Sequence, residues 1–219
     1  MNALRRIVAG DSFHRTRLHD EKGNFAGWRE AARVPVRSVQ AVRRRATGTL
    51  PDAPWYPPAA ARRIEALLEP GWTLIEFGSG MSTPWYGRRV ARLLSIELNT
   101  HWHGQITRLL EAEGLSNVRY ERRPLTEAYY DLSDFADGSV DFVAVDGGDR
   151  YECVRAAIPK IRPGGWLYLD NSDMDYGRRY AGAVRPPEPL VLDAATHHEY
   201  FIGLPPGIVS TTEGLLARL

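Results

Sequence analysis

The sequence predicts an α/β fold, a Rossmann-like, doubly wound and mostly parallel sheet that follows an N-terminal arm. From Pro58 onward, short apolar runs alternate with stretches of helical periodicity, which is typical of parallel strands joined by right-handed crossover helices. Near the end of the chain, two apolar runs are joined by the turn Pro205-Pro206-Gly207. This turn indicates two strands that form an antiparallel edge of the sheet.

The individual elements follow from this alternation. The runs predicted as parallel strands are 72–77, 93–98, 118–121, 140–145 and 166–169. The apolar positions predicted to form helix faces lie within 60–68, 86–93, 102–110 and 154–161. Pro163-Gly164-Gly165 should end the last of these helices before the fifth strand begins. The antiparallel edge should consist of residues 200–204 and 214–219.

The composition is that of one globular domain with an appendage. The chain has 219 residues, 43% of them hydrophobic and 25% charged, and its formal net charge is +1. We expect an arginine-rich arm or helical appendage over residues 1–50, with an irregular helix or extended segment at 31–45, and a globular domain over residues 51–219. With so small a net charge, nucleic-acid binding would depend on a local basic patch, and the arm is the candidate for one.

Two features bear on the cellular compartment. Cys153 is the single cysteine, so an internal disulfide cannot form and a reducing compartment is expected. No apolar run approaches the roughly 20 residues that span a bilayer. We therefore expect a cytoplasmic protein without a membrane partner.

A glycine-containing loop, Glu76-Phe77-Gly78-Ser79-Gly80, follows the first predicted strand. In an open α/β sheet, ligands bind beyond the carboxyl ends of the strands, and the first strand-to-helix turn lies closest to them. Gly78 and Gly80 would let the backbone turn sharply and approach a bulky ligand. Taken alone, this pattern marks a ligand loop without identifying the ligand.

Residues near the loop favour one ligand over another. A dinucleotide-binding loop has a third glycine where this chain has Thr83. Glu76 would repel a pyrophosphate but attract the ammonium group of a methionine moiety. Glu97, at the end of the second predicted strand, suits the two ribose hydroxyls of either ligand. The pattern therefore favours S-adenosylmethionine over a nicotinamide dinucleotide.

From about Trp55 to Leu219, the chain resembles class I S-adenosylmethionine-dependent methyltransferases, in particular a bacterial branch that resembles O-methyltransferases of small molecules. The resemblance rests on EFGSGMSTPW, SIEL followed by HW, VDGGDRYECVRAAIPKIRPGGWLYLDNSD and a closing F-x-G-x-P segment. It implies a seven-stranded sheet with a reversed last strand. The predicted cofactor-binding residues are Trp55, Glu76, Gly78, Ser79, Gly80, Ser82, Thr83, Glu97 and Asp146.

The acceptor side is predicted at the ends of the fourth and fifth strands, at Asp146 and at the pair Asp170-Asn171. Two carboxylates and an amide oxygen suit a hard divalent cation such as Mg²⁺, which could bind an acceptor hydroxyl. Asp146, Asp170 and Asn171 match the metal ligands of the catechol-type and macrolide-sugar O-methyltransferases, which this chain resembles here. The alternative stays open, because Asp146 can instead bond the turn and Asp170-Asn171 can cap the following helix.

A general base is harder to place. Methyl transfer needs an aligned nucleophile and a group that takes its proton. The catechol-type enzymes have a lysine three residues after the first aspartate, where this chain has Asp149, so that role cannot be transferred. Candidates for a separate base are Asp149, Asp173, His197 and His198. The residues predicted to be catalytic are Asp146, Asp149 and His197.

The sequence thus predicts O-methylation of a small molecule, such as a sugar or secondary metabolite, with or without a divalent metal. Two alternatives stay open. One is an NAD-dependent oxidoreductase, against which Glu76 and Thr83 argue. The other is a nucleic-acid methyltransferase or binding module that uses the basic arm, although no Asn/Asp-Pro-Pro-Tyr motif follows the fourth strand. The expected partners are a small-molecule acceptor and a second copy that pairs through the arm.

Overall fold

The computed structural model describes residues 9–181 and 183–219, so Arg5 and Arg6 of the predicted arm lie outside the described residues. The strands are β1 (Thr73–Phe77), β2 (Arg92–Glu97), β3 (Val118–Arg122), β4 (Val140–Val145), β5 (Ile161–Asp170), β6 (His197–Gly203) and β7 (Thr212–Arg218). They form one sheet in the order β3-β2-β1-β4-β5-β7-β6. Strands β1 to β5 are parallel, and β7 runs antiparallel to both β5 and β6. The predicted mostly parallel sheet with a reversed last strand is confirmed.

Helices connect the strands and precede them. They are α1 (Trp28–Ala31), α2 (Val34–Thr47), α3 (Pro58–Glu65), α4 (Ser82–Gly87), α5 (Thr100–Glu113), α6 (Glu127–Tyr130), α7 (Arg150–Ala157), α8 (Tyr176–Tyr180) and α9 (Glu188–Ala194), with a 3₁₀ turn at Ile158–Lys160. None of the helices in the described ranges combines the length and apolar character needed to cross a membrane.

The sheet is packed on both faces, as expected for a doubly wound fold. Successive residues of β4 alternate between two apolar clusters: Val143 and Val145 belong to one, and Phe142 and Ala144 to the other. All five residues of β1 are buried. The sequences of the central parallel strands are therefore continuous apolar runs, because helices cover both faces of the sheet.

Several boundaries differ from the predictions: β6 and β7 begin two or three residues early, and two differences have a clear cause. Strand β5 begins at Ile161, so Pro163-Gly164-Gly165 lies inside the strand rather than before it. The pairing of β4 with β5 shifts register between Val140 and Phe142, and this irregularity accommodates the extra residues. The helix predicted at 86–93 ends at Gly87, because the chain must turn before β2 begins at Arg92.

The described part of the N-terminal arm is folded against the domain. The Glu21 amide donates to the Asp173 carboxylate, and the Thr211 amide donates to the Arg17 carbonyl. Glu30 is buried and accepts a hydrogen bond from the Leu204 amide. These contacts join the arm to the loops after β5 and β6. Within the arm, the segment predicted to be irregular forms the regular 14-residue helix α2.

The loops after β1 and β4 touch backbone to backbone at Gly78 and Gly147. A Cβ on Gly147 would lie 2.5 Å from the Gly78 Cα, and a Cβ on Gly78 would lie 2.6 Å from the Gly147 nitrogen. Gly78 also has a φ of 85°, a conformation that favours glycine. The Asp146 amide donates to the Phe77 carbonyl at 2.8 Å and fixes the same approach. Glycine is required at both positions because two loops meet there.

Substitution Gly147→Ala should therefore destabilise the protein by about 1–3 kcal/mol, since a methyl group would have to push the two loops apart. The measurement is the free energy of unfolding from urea titration. Gly71→Ala is the matched control, because a Cβ at Gly71 meets nothing within 4 Å. Equal stabilities for the two variants would contradict the close contact.

Candidate cofactor and acceptor site

The carboxyl ends of β1, β2 and β4 open onto a cavity of about 500 Å³, called here the edge cavity. It is lined by Trp55, Gly78, Ser79, Glu97, Leu98, Asn99, His101, Trp102, Tyr129, Asp146, Gly147 and Gly148. Five of the predicted cofactor-binding residues are in this lining: Trp55, Gly78, Ser79, Glu97 and Asp146. The others, Glu76, Gly80, Ser82 and Thr83, are not among the lining residues.

Glu97 lines the edge cavity and accepts hydrogen bonds from several residues around it. One carboxylate oxygen accepts hydrogen bonds from the amide and hydroxyl of Ser79, and the other accepts from the amides of Leu98 and Asn99. The Ser79 hydroxyl also contacts the Tyr120 hydroxyl at 2.7 Å. The carboxylate thus joins the loop after β1 to the start of α5. Among these hydrogen bonds, only the one from the Ser79 hydroxyl can be broken by rotating a donor side chain, because the other donors are backbone amides.

Glu76 lies behind the loop and supports it. Its side chain is fully buried and accepts hydrogen bonds from the hydroxyls of Thr83 and Ser95, while the Thr83 hydroxyl accepts from the Gly80 amide. The other carboxylate oxygen of Glu76 has no partner among the described residues. Burial raises the pKa of Glu76 to about 7, although the hydroxyl donors of Ser82, Ser95 and Thr83 oppose this shift.

Aromatic side chains cover the outer side of the cavity. The Trp102 indole donates to the Ser79 carbonyl at 2.8 Å, and its ring lies 5.8 Å from that of Trp55. The Arg44 guanidinium lies over the Trp55 ring, with 5.2 Å to the centroid. Asn99 caps α5, and His103 stacks on Tyr120 at 4.5 Å. These aromatic groups could contact the flat base of a nucleoside.

Sequence reasoning missed Tyr129. It lies on the short helix α6, lines the cavity, and has a buried hydroxyl without a partner among the described residues. Its ring packs so closely on Gly148 that a Cβ there would lie 2.4 Å away. Position 129 is in no recognisable motif. The sequence signal that could have indicated it is the pair Gly147-Gly148 after Asp146, because glycines leave room for a large neighbouring side chain.

On the acceptor side, Arg150 connects the predicted metal ligands. Its terminal nitrogen Nη2 donates to the Asp146 carboxylate at 2.9 Å, to the Asp146 carbonyl at 2.9 Å, and to the Asn171 side-chain oxygen at 3.0 Å. Asn171 has a φ of 52°, so it occupies a left-handed position at the end of β5. The structure therefore brings Asp146 and Asn171 together as predicted, but the group that lies between them is the Arg150 guanidinium rather than a metal ion.

Asp170 is also close to this group, and its carboxylate is buried. The Tyr168 hydroxyl donates to it at 2.9 Å. Burial raises the pKa of Asp170 well above its usual range, and the neighbouring Asp146 carboxylate raises it further. Burial also raises the pKa of Asp146, while Arg150 opposes the shift. The pair carries one nearby compensating cation, Arg150.

These contacts do not suit the predicted Mg²⁺ site. A divalent cation bound to Asp146 and Asn171 would compete with Arg150 for the Asn171 side-chain oxygen and would place its charge beside the guanidinium that already holds Asp146. The donor set therefore fits an arginine better than a metal ion.

The remaining base candidates lie elsewhere or have structural roles. Asp149 caps α7 by accepting from the amides of Tyr151 and Glu152. Asp173 accepts from the amides of Glu21 and Glu213. His197, on β6, lies opposite Arg218 of β7. Arg218 in turn lies opposite Trp166 of β5, which is four residues before Asp170.

The histidine pair is therefore at the wrong part of the sheet for the predicted role. Strand β6 runs parallel to β5, so its first residue lies roughly 13 Å back from the carboxyl end of β5. The His197 side chain is 59% exposed on the edge strand. His198, the next residue, pairs with Ala217. The structure does not bring either histidine to Asp146.

The strand order and the ligand-binding edge define the fold of class I methyltransferases. Comparison with known proteins agrees. Residues 75–172 match the family model described as a methyltransferase domain. A search of curated protein sequences gave no match.

Solved structures with the same fold include methyltransferases from three bacteria. A proposed O-methyltransferase of Klebsiella pneumoniae has 18% identity and a TM-score of 0.57, over 84% of this chain and 90% of that one. A S-adenosylmethionine-dependent O-methyltransferase of Thermotoga maritima has 16% identity and a TM-score of 0.55, over 82% and 70%. A S-adenosylmethionine-dependent methyltransferase of Aquifex aeolicus has 14% identity and a TM-score of 0.50, over 75% and 90%.

Residues 75–172 thus match a methyltransferase domain, and the fold is that of S-adenosylmethionine-dependent methyltransferases. This match and this fold support the methyltransferase over the oxidoreductase alternative, in line with the preference that Glu76 and Thr83 suggested. In the structure these two residues bond each other behind the loop.

The buried Glu76 makes a prediction about pH. The pKa of a glutamate side chain is ordinarily 4.5, and that of Glu76 in the folded protein is about 7. Between these two pH values the folded state therefore binds a proton that the unfolded state has already released. The resulting stabilisation is complete below pH 4.5 and disappears as the pH rises through 7. Without cofactor, Glu76→Gln should therefore gain stability over the wild type between pH 5 and pH 8, by up to about 3 kcal/mol.

The measurement is urea unfolding of both proteins at a series of pH values. Glu111→Gln, which changes an exposed glutamate on α5, is the control and should follow the wild type at every pH. A constant difference between wild type and Glu76→Gln across this range would contradict the raised pKa.

Proposed function

We propose that the protein transfers the methyl group of S-adenosylmethionine to an oxygen of a small hydroxylated molecule, without a metal, and that Asp146 takes the acceptor's proton. One observation carries the proposal. Asp146 lines the edge cavity and is also held by Arg150 next to Asn171 and Asp170. It is thus the carboxylate shared by the cofactor side and the acceptor side.

The edge cavity would hold the cofactor. Glu97 would accept hydrogen bonds from the ribose hydroxyls once the Ser79 hydroxyl turns toward Tyr120, its second partner. Trp102 and Trp55 would cover the adenine, and the unpartnered Tyr129 hydroxyl would face the cofactor near Gly147. Glu76 would act by positioning the loop through Thr83.

The acceptor would enter from the side of the loop after β5. A cavity of about 480 Å³ lies there between this loop and the N-terminal arm. Its lining includes Glu21, Lys22, Ser172, Tyr176 and Glu188. The charged and hydroxyl side chains of this lining could bond the hydroxyl groups of an acceptor such as a sugar, while the apolar side chains of Met174, Val184, Pro186 and Pro187 in the same lining could pack on its ring.

The reaction itself is an in-line displacement. The acceptor oxygen attacks the methyl carbon, a carbon–oxygen bond forms, and the bond between that carbon and the sulfonium sulfur breaks to release S-adenosylhomocysteine. The acceptor's proton passes to the Asp146 carboxylate. A raised pKa makes this carboxylate a stronger base than an exposed aspartate, while Arg150 favours its ionised form and orients it.

The experiment is an assay of S-adenosylhomocysteine formation with a panel of sugars, sugar nucleotides and phenols. Asp146→Asn should lower kcat by about 10²-fold or more, because it removes the base but retains the side-chain shape. A saturating chelator should leave wild-type turnover unchanged. Asp137→Asn, at an exposed aspartate of the loop before β4, is the control and should retain full activity.

Three results would count against the proposal. Turnover that chelator abolishes and Mg²⁺ restores would establish a metal-assisted mechanism. An unchanged kcat in Asp146→Asn would assign the proton to another group. Product formation confined to amine or thiol acceptors in a widened panel would exclude oxygen as the nucleophile.

A further inference from the structure

Helix α2 presents its apolar residues to solvent, the reverse of the usual arrangement. Val36, Val39 and Val42 are 58%, 69% and 66% exposed, and no residue of the helix is buried. A surface helix normally turns such residues toward the core. We call the residues Pro35, Val36, Val39, Val42 and Ala46 the outer face of α2; all five are exposed.

The outer face is a continuous stripe. Val36, Val39, Val42 and Ala46 are spaced three or four residues apart, so they follow one side of the helix, and Pro35 precedes Val36 at its start. Trp28 begins the preceding helix α1 and is 82% exposed. Its ring packs against that of Phe25, at 5.2 Å between centroids. Two large aromatic groups thus precede the stripe in the chain.

The opposite side of α2 is fixed to the domain by polar contacts. The Gln40 side-chain oxygen accepts a hydrogen bond from the Gly207 amide, and Arg44 lies over Trp55. The helix therefore cannot rotate its valines inward without losing both contacts. Its orientation relative to the edge cavity is set by Trp55.

The charge around the outer face has one sign. Residues 31–51 contain Arg33, Arg37, Arg43, Arg44 and Arg45 and no aspartate or glutamate. Arg33 pairs with Glu30, whereas Arg43, Arg44 and Arg45 have no acidic partner within the described ranges. Two copies that paired through this face would bring arginines against arginines. An apolar stripe with basic flanks and a preceding tryptophan suits an anionic surface with an apolar interior.

We propose that the outer face of α2 docks the protein on an anionic phospholipid membrane, with the valines in the headgroup region and the arginines on lipid phosphates. The helix would lie in the plane of the interface without crossing it. This inference is independent of the proposed acceptor. It revises the expectation of no membrane partner, which considered spanning segments.

The experiment is sedimentation of the full chain with vesicles of phosphatidylcholine alone or mixed with phosphatidylglycerol. Binding should be about tenfold or more stronger to the mixed vesicles and should weaken as salt is added. Val36→Gln/Val39→Gln removes apolar surface without changing charge, and Arg43→Gln/Arg45→Gln removes charge. Each should reduce binding about tenfold, whereas Leu125→Gln, at an exposed leucine outside the arm, should not.

Circular dichroism of each variant in solution would establish that the helix content is retained. Wild-type protein that stays in the supernatant with both kinds of vesicle would overturn the proposal. So would a dimer in solution that the valine variant dissociates, since a second copy would then cover this face. Binding to duplex DNA that depends on the arginines but not on the valines, with none to vesicles, would instead assign the face to nucleic acid.

Discussion

The backbone contact between Gly78 and Gly147 is the constraint on which the site depends. It brings the loop after β1 against the loop after β4, and neither loop can carry a side chain at the point of contact. The same approach places Asp146 at the rim of the edge cavity, across from Glu97. The ligand-binding edge is therefore built from the close packing of two loops, with the polar groups arranged around that contact.

Around this contact the protein concentrates carboxylates that would repel one another in a dry interior. Glu76, Glu97 and Asp170 are all buried. Each is stabilised differently: Glu76 by hydroxyl donors and protonation, Glu97 by backbone amides and Ser79, and Asp170 by Tyr168. Arg150 supplies the compensating charge on the acceptor side. Arg150 thus has two effects: it occupies the place predicted for a metal ion, and its positive charge stabilises the buried carboxylates.

The sequence predicted the sheet well because central parallel strands are marked by continuous apolar runs and by glycine turns. It placed Gly78, Ser79, Glu97 and Asp146 at one edge for the same reason, since each follows a strand. It failed where the deciding contact joins residues distant in the chain. The guanidinium of Arg150 between Asp146 and Asn171, the ring of Tyr129 over Gly148, and the edge position of His197 depend on tertiary packing and strand register, which no local pattern encodes.

The central claim is that the edge cavity holds S-adenosylmethionine with Glu97 at the ribose. Calorimetric titration of the cofactor into wild type and Glu97→Gln tests it most directly, with Glu111→Gln as the surface control and thermal unfolding as the check on folding. Glu97→Gln should weaken binding by about 1–3 kcal/mol through the loss of charge-assisted hydrogen bonds, while Glu111→Gln should bind as the wild type does. Wild-type affinity in a well-folded Glu97→Gln protein would contradict this claim.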